Sequence, residues 1–185
     1  ANSPTFSDGN LTQTTPNSGG TSGRSTIEVP HTGVWYWEVK IVSTTGTISD
    51  NLRLGISTGS SASDGQNLRY MSNGQYVNPS GVSSYGASYA AGDIISVKVD
   101  ADNNQVTFYK NGASQGAISY TMVAGETYKA FVGEYGSIGS VYSMNFGNAP
   151  FSISSGNSDP DGYGNFEYST DSGYALNTSN LNTYG

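Results

Sequence analysis

Acidic side chains hold most of the catalytic potential of this chain, which has no cysteine and a single histidine, His31. A glycoside hydrolase needs two carboxyl groups about 5–10 Å apart, which a strand would present at alternating positions. Here Glu38 and Glu134 each stand alone, and Asp100 with Asp102 falls at a predicted turn. His31 lies in a predicted loop, and no Gly-x-Ser-x-Gly motif occurs in a strand-to-helix setting. The pattern predicts a protein that is not an enzyme.

A second group of oxygen donors lies near the end of the chain. Asp159 and Asp161 flank a proline, and Glu167 and Asp171 follow downstream. Calcium accepts hard oxygen ligands of this kind from flexible loops, but the spacing does not match an EF-hand. The favoured interpretation is a solvated turn. Asp159 and Asp161 are the candidate ligands in the calcium alternative, and no other cofactor is expected.

Sugar-binding chemistry is concentrated in residues 64–89, which the alternation pattern predicts to be a long connection between strands. Aromatic faces cover the C–H groups of a sugar, and amide, carboxylate and guanidinium groups bind its hydroxyls. Long connections are uncommon in compact domains unless they are functional. The same residue types also suit a protein-contact surface. The candidates for ligand contact are Asp64, Gln66, Arg69, Tyr70, Asn73 and Tyr76.

Charge and hydropathy exclude two classes of partner. The net charge of −7, with only 7 Lys and Arg residues, argues against a nucleic-acid surface, because phosphate binding depends on clustered cations. No stretch approaches the roughly 18 apolar residues that would span a bilayer, so membrane insertion is not expected.

The elements that must position these side chains are strands. Trp35, Trp37, Val39 and Ile41 alternate with more polar residues, as in a strand with one buried face. Similar alternation recurs at residues 52–56, 95–99, 106–108 and 142–146. A hairpin is predicted at the pair NG in positions 111–112, because both central residues of a type I′ turn need positive φ. The sequence therefore predicts an all-β protein.

Composition divides the chain into three parts. Residues 1–32 form a predicted N-terminal arm with one possible edge strand, residues 33–151 the sandwich, and residues 152–185 a polar C-terminal arm or linker. Both arms are too polar to build separate cores, so ordered arms must be held by the sandwich or by neighbouring subunits. We expect one or both to cross a subunit boundary.

Several strings resemble the SPRY domain in order and spacing. They are GVWYWEV at 33–39, SYG at 84–86, GDII at 92–95, VD at 99–100, VTFYKNG at 106–112 and NFG at 145–147. The resemblance implies a concanavalin A-like jelly-roll sandwich of two antiparallel sheets. It also implies a binding platform without an active site, whose loops at one rim choose the ligand. Within these strings, Trp37, Tyr85 and Phe108 look structural.

The two ends resemble segments that flank SPRY-like domains in structural proteins of tailed bacteriophages, through SDGNLT at 7–12 and GYALNTSNL at 173–181. This resemblance implies a non-catalytic structural module of a virion, which belongs to a tail or fibre or decorates the capsid and mediates assembly or attachment. Its partners would be other virion proteins, copies of itself, or a host surface glycan or protein. The alternatives are a secreted or cell-surface lectin-like adhesin and an intracellular SPRY adaptor that binds peptides.

Overall fold

The computed structural model of the chain describes residues 3–17, 19–45, 52–59 and 67–185. Within these ranges strands dominate, and the predicted all-β class is confirmed. The strands are β1 Thr5–Ser7, β2 Thr12–Thr15, β3 Ser22–Val29, β4 Val34–Thr44, β5 Leu52–Ser57, β6 Asn67–Met71, β7 Gln75–Asn78, β8 Gly81–Ser84, β9 Ile94–Asp100, β10 Gln105–Lys110, β11 Ala113–Ser119, β12 Tyr128–Glu134, β13 Ser140–Asn145 and β14 Tyr174–Ala175. A 3-10 turn spans Asp8–Asn10, and helix α1 spans Thr178–Tyr184. Neither described helix has the length and apolar content needed to span a membrane.

The strands form two sheets. Sheet A has the order β1-β2-β13-β4-β9-β10-β11, and sheet B has the order β3-β12-β5-β6-β7-β8. Neighbours along both paths are antiparallel, whereas the two-residue strand β14 joins β4 in parallel. The predicted sandwich of two antiparallel sheets is confirmed.

The core lies between the sheets and follows the predicted alternation. Trp35, Trp37, Val39 and Ile41 of β4 are completely buried in it. Sheet B supplies apolar side chains at alternating positions of β5 and β12, among them Leu52, Leu54, Ile56, Ala130 and Val132. Because an aromatic side chain buries about 150–250 Å², the two tryptophans account for a large part of this core.

The predicted hairpin is present between β10 and β11. Asn111 has a φ of 48° and Gly112 a φ of 81°, so both central residues have the positive φ that a type I′ turn requires. Asn tolerates this conformation better than most residues, and glycine adopts it without strain.

The long connection predicted over residues 64–89 is wrong, because β6, β7 and β8 form within it. The strand β6 escaped the alternation pattern because all five of its residues are buried, including polar ones. Arg69 lies 4.1 Å from the ring centroid of Phe131 on the outer face of sheet B, so a charged residue takes the place of an apolar one there. Asp64 and Gln66 lie outside the described residues.

The N-terminal arm is more regular than predicted. Its strand β2 pairs with β13, and its strand β3 pairs with β12, so residues from the arm extend both sheets. The carboxylate of Glu134, fully buried, accepts hydrogen bonds from Thr15 Oγ1 at 2.8 Å and Ser140 Oγ at 2.9 Å. Glu134 therefore joins the arm to β12 and β13.

The C-terminal arm packs against the outer face of sheet A of the same chain. Phe166 packs edge-on against the Tyr36 ring, with 5.1 Å between centroids. Asp171 pairs with Lys98 of β9. A Cβ on Gly173 would lie 2.9 Å from Tyr36 Cβ, so only glycine allows this close approach. The sandwich of the same chain therefore holds both arms, so their order does not require a neighbouring subunit. That an arm crosses a subunit boundary stays a prediction.

Glu38 fastens this arm to the sheet. Its carboxylate is completely buried. Oε2 accepts from the Glu167 N–H at 3.0 Å and from Asn145 Nδ2 at 3.1 Å. Oε1 accepts from the Tyr168 N–H at 2.8 Å and from the Tyr36 hydroxyl at 3.2 Å. A buried carboxylate needs such donors, because leaving it unpaired would cost several kcal/mol.

We expect Glu38→Ala to destabilise the protein strongly. The substitution leaves the N–H groups of Glu167 and Tyr168 and the amide of Asn145 without this acceptor, and each unsatisfied buried donor costs about 1–3 kcal/mol. Urea unfolding should show a loss of about 3 kcal/mol or more.

The matched control is Glu28→Ala, which removes an exposed glutamate of β3 and should change stability by less than about 0.5 kcal/mol. Digestion with subtilisin should cleave residues 152–185 faster in the Glu38 variant than in the control. Equal stability and equal cleavage of the two variants would contradict the role given to Glu38.

Candidate functional site

The candidate site is a shallow depression at one rim of the sandwich. It has a volume of about 380 Å³ and lies among the β6–β7 turn, the β8–β9 connection and the end of β10. We call it the rim depression. Its lining residues are Ser72, Asn73, Ser88, Tyr89, Ala90, Asp93 and Lys110.

Asp93 fixes the shape of the rim depression. Its carboxylate accepts from the Ala90 N–H at 2.9 Å and from Asn111 Nδ2 at 2.7 Å, and it pairs with Lys110 Nζ at 3.3 Å. Partial burial raises the pKa of the Asp93 carboxyl, but these donors outweigh it and hold the pKa below its usual value. Asp93 therefore stays ionised and joins the β8–β9 connection to Lys110 and Asn111. Lys110 Nζ also donates to Ser88 O at 2.7 Å.

A cluster of aromatic rings supports the rim from inside. Tyr85 packs edge-on against Tyr70 and Tyr76, with centroid distances of 5.2 and 5.8 Å. Burial raises the pKa of both Tyr70 and Tyr85 to about 12, so their hydroxyls remain donors at neutral pH. The Tyr70 hydroxyl donates to Ala87 O, and the Tyr85 hydroxyl accepts from the Phe108 N–H at 3.1 Å. These bonds fix the β8–β9 connection against the sandwich.

The predicted ligand contacts occupy different environments. Asn73 is exposed and lines the rim depression, and Tyr76 is half-buried in the aromatic cluster. Arg69 and Tyr70 are completely buried, so they support the structure and present no surface to a ligand. Arg69 Nη2 donates to Ser57 Oγ at 2.7 Å.

Ser88 and Lys110 were missed as site residues. Lys110 belongs to the string VTFYKNG, and Ser88 stands two residues after SYG. Those strings indicated a turn and a core, and nothing local in them shows that the two segments meet. Ala87, next to Ser88, accepts a hydrogen bond from the Tyr70 hydroxyl, and Asn111, next to Lys110, donates one to Asp93. These two bonds bring the segments together.

The residues considered for catalysis serve structural hydrogen bonds. His31 Nε2 lies 2.8 Å from Glu126 O. Asp102 Oδ1 accepts from the Gly33 N–H at 2.8 Å, and Asp100 Oδ1 accepts from the Asn103 N–H at 3.0 Å, so both fix turns.

The oxygens of Asp159, considered for calcium, face hydrogen-bond donors. Oδ1 accepts from the N–H groups of Asp161 and Tyr163, at 3.1 and 2.8 Å. Oδ2 accepts from the Ala175 N–H at 3.0 Å and Asn180 Nδ2 at 2.7 Å. Within the described ranges no group of three or more His, Asp or Glu side chains could hold a metal ion. The predicted turn is present. The prediction that Asp159 is solvated is wrong, because this residue is only 4% exposed.

The fold is thus a sandwich of two antiparallel sheets with an open depression at one rim. The SPRY domain profile matches residues 34–149, more than half of the chain, so the chain belongs to the SPRY domain family. SPRY domains are generally non-catalytic modules for protein interaction. No curated protein sequence matches the chain.

Solved structures share this fold. The SPRY domain of human HERC1 superimposes with a TM-score of 0.63 at 19% identity, over 76% of this chain and 91% of that one. A second human SPRY domain superimposes with a TM-score of 0.57 at 17% identity, over 76% of this chain and 93% of that one.

Glu38 should give the stability of the protein a specific dependence on pH. Burial raises the pKa of its carboxyl, and the hydrogen bonds from Tyr168 and Glu167 lower it without cancelling the shift. The folded protein therefore holds this proton more tightly than the unfolded chain, whose carboxyl has a pKa of about 4.3. The stabilising contribution is complete below that value and is lost as pH rises through the folded-state pKa.

The expected result is that, between about pH 5 and about pH 7.5, the wild type loses more stability than Glu38→Gln, which has no carboxyl at this position. Urea unfolding of both proteins at both pH values measures the difference, in which the other titrating groups cancel. A wild type that gains stability relative to the variant over this interval would show that the pKa of Glu38 is lowered.

Proposed function

We propose that this chain is a non-catalytic recognition module that binds a partner protein through the rim depression. The observation that carries the proposal is the construction of this rim. Asp93 binds the β8–β9 connection, Lys110 and Asn111 together, and the aromatic cluster fixes the same connection from inside. A surface held in one shape loses little conformational entropy on binding, which favours specific recognition.

The chemistry of the rim depression suits a polar, extended peptide. Asn73 and Ser88 are exposed, and the nearby turns offer main-chain groups for hydrogen bonds. The one cation of the lining, Lys110, is paired with Asp93, so the surface carries little net charge. Surfaces rich in Ser, Asn and Tyr bind through adaptable hydrogen bonds and rigid rings.

Three settings are compatible with this recognition. In the virion setting, predicted from the terminal segments alone, the partner is a neighbouring virion protein, a copy of this chain, or a host surface protein or glycan. As a secreted or cell-surface adhesin, the module would use the same rim on a cell surface. As an intracellular adaptor, it would hold a short peptide there. The rim depression is the binding surface in each.

Substitution in the rim depression should weaken peptide binding. We would select peptides from a random displayed library on the wild-type chain and measure their affinities for Ser88→Arg by calorimetry. An arginine at this exposed position fills the depression, and we expect binding to weaken at least tenfold, about 1.4 kcal/mol.

The control is Thr14→Arg, which adds the same charge at an exposed position of β2, at the other end of sheet A. It should leave the affinities unchanged. Peptides that bind both variants as tightly as the wild type would place the recognition surface elsewhere and refute the proposal.

A further inference from the structure

A second concave site lies at the opposite end of the sheets. There β3 is the last strand of sheet B, and β1 and β2 extend sheet A next to it. The cleft between them has a volume of about 430 Å³, within the range of small-molecule sites. We call it the edge cleft. Its apolar lining includes Phe6, Leu11, Ile27, Met144 and Phe146.

Gln13 is the unusual residue of the edge cleft. It is 3% exposed, and neither Oε1 nor Nε2 of its side chain has a hydrogen-bond partner. Buried side-chain amides are nearly always paired, because an unmade hydrogen bond destabilises the protein. An apolar residue would fit this position without that penalty. A polar group kept unpaired in an apolar cleft is the arrangement expected of a site whose ligand supplies the missing partners.

The surroundings of Gln13 are fitted to its amide. A Cβ on Gly23 would lie 1.8 Å from Gln13 Oε1, so a side chain at this position of β3 would displace the amide from where it lies. Phe6 stands opposite Gln13 in the β1–β2 pair and is 48% exposed. All three residues of β1 are exposed, so this short edge strand is the part of the wall best able to move. Movement of Phe6 would open the amide to a ligand.

The polar lining restricts the charge of the ligand. Arg24, Asn10, Ser25 and Thr26 also line the edge cleft, and among the described residues no Asp or Glu does so, although the chain has a net charge of −7. A cationic ligand would find no compensating carboxylate among the described residues of the lining, and Arg24 already donates from Nη1 to Thr58 O at 2.7 Å. Neutral and anionic ligands with several hydrogen-bonding groups are compatible with the site.

We infer that the edge cleft binds a sugar ring that carries two adjacent hydroxyl groups, with Gln13 as its anchor. A carboxamide presents a donor and an acceptor side by side, and neighbouring hydroxyls can accept from Nε2 and donate to Oε1 together. Phe6 and Phe146 supply aromatic surface for the ring C–H groups. The site is separate from the rim depression and does not depend on the function proposed for it.

The test uses the full chain and a panel of methyl glycosides of glucose, galactose and mannose, followed by saturation-transfer NMR and calorimetry. The wild type should bind at least one of them saturably, with a Kd of about 1 mM or tighter. Gln13→Leu should weaken that binding at least tenfold and should not lower the melting temperature, because it removes an unpaired buried amide. The matched control, Gln105→Leu, changes an exposed glutamine of β10 and should bind as the wild type does.

A second variant keeps the test decisive if Gln13→Leu does not fold. Phe6→Ala alters a half-exposed side chain on the edge strand, so the fold should persist and affinity should fall at least threefold. Absence of saturable binding to every sugar up to about 10 mM would overturn the inference. Undiminished binding by Gln13→Leu or, where that variant does not fold, by Phe6→Ala would overturn it as well. So would binding of the library peptides, but no sugar, in a manner that Gln13→Leu or Phe6→Ala abolishes.

Discussion

The buried carboxylate of Glu38 is the interaction on which the covered face of sheet A depends. Its side chain points away from the core between the sheets, where a glutamate would ordinarily face water. The C-terminal arm removes that water and replaces it with the N–H groups of Glu167 and Tyr168. Burying the carboxylate without these N–H groups, or the N–H groups without the carboxylate, would destabilise the protein, because each unpaired buried group carries a large desolvation penalty. Arm and sheet are therefore parts of one folded unit.

Buried carboxylates that accept hydrogen bonds from neutral donors occur at two other places. Glu134 accepts from Thr15 and ties the N-terminal arm to sheet B, and Asp159 accepts from Ala175 and folds the C-terminal arm on itself. The chain has 14 acidic residues and only 7 Lys and Arg, so ion pairs cannot satisfy most of its carboxylates. At Glu38, Glu134 and Asp159, neutral N–H and O–H donors from the arms take that role. Buried bonds of this kind are weakened by salt less than surface ion pairs are.

Strands with one apolar face could be predicted from the sequence, because alternation is a local signal. β4, β9 and β10 show this alternation clearly, and the Asn-Gly pair at 111–112 predicted the turn between β10 and β11. β6 could not be predicted, since contact with Phe131 buries Arg69 on its outer face. The burial of Glu38 was equally hidden, because the residues that cover it lie more than 120 positions away. Of the residues that line the rim depression, Asn73 was predicted from residue type alone. Ser88 and Lys110 were missed, because only the fold brings their segments together.

The most direct test is hydrogen exchange of the intact wild-type chain, resolved to single amides by NMR. If the arm is part of the folded unit, the amides of Glu167, Tyr168 and Ala175 exchange as slowly as those of the core strands β4 and β9, because all of them open only with the whole protein. Exchange of these three amides at rates near those of an unfolded peptide, beside a protected sandwich, would contradict the account.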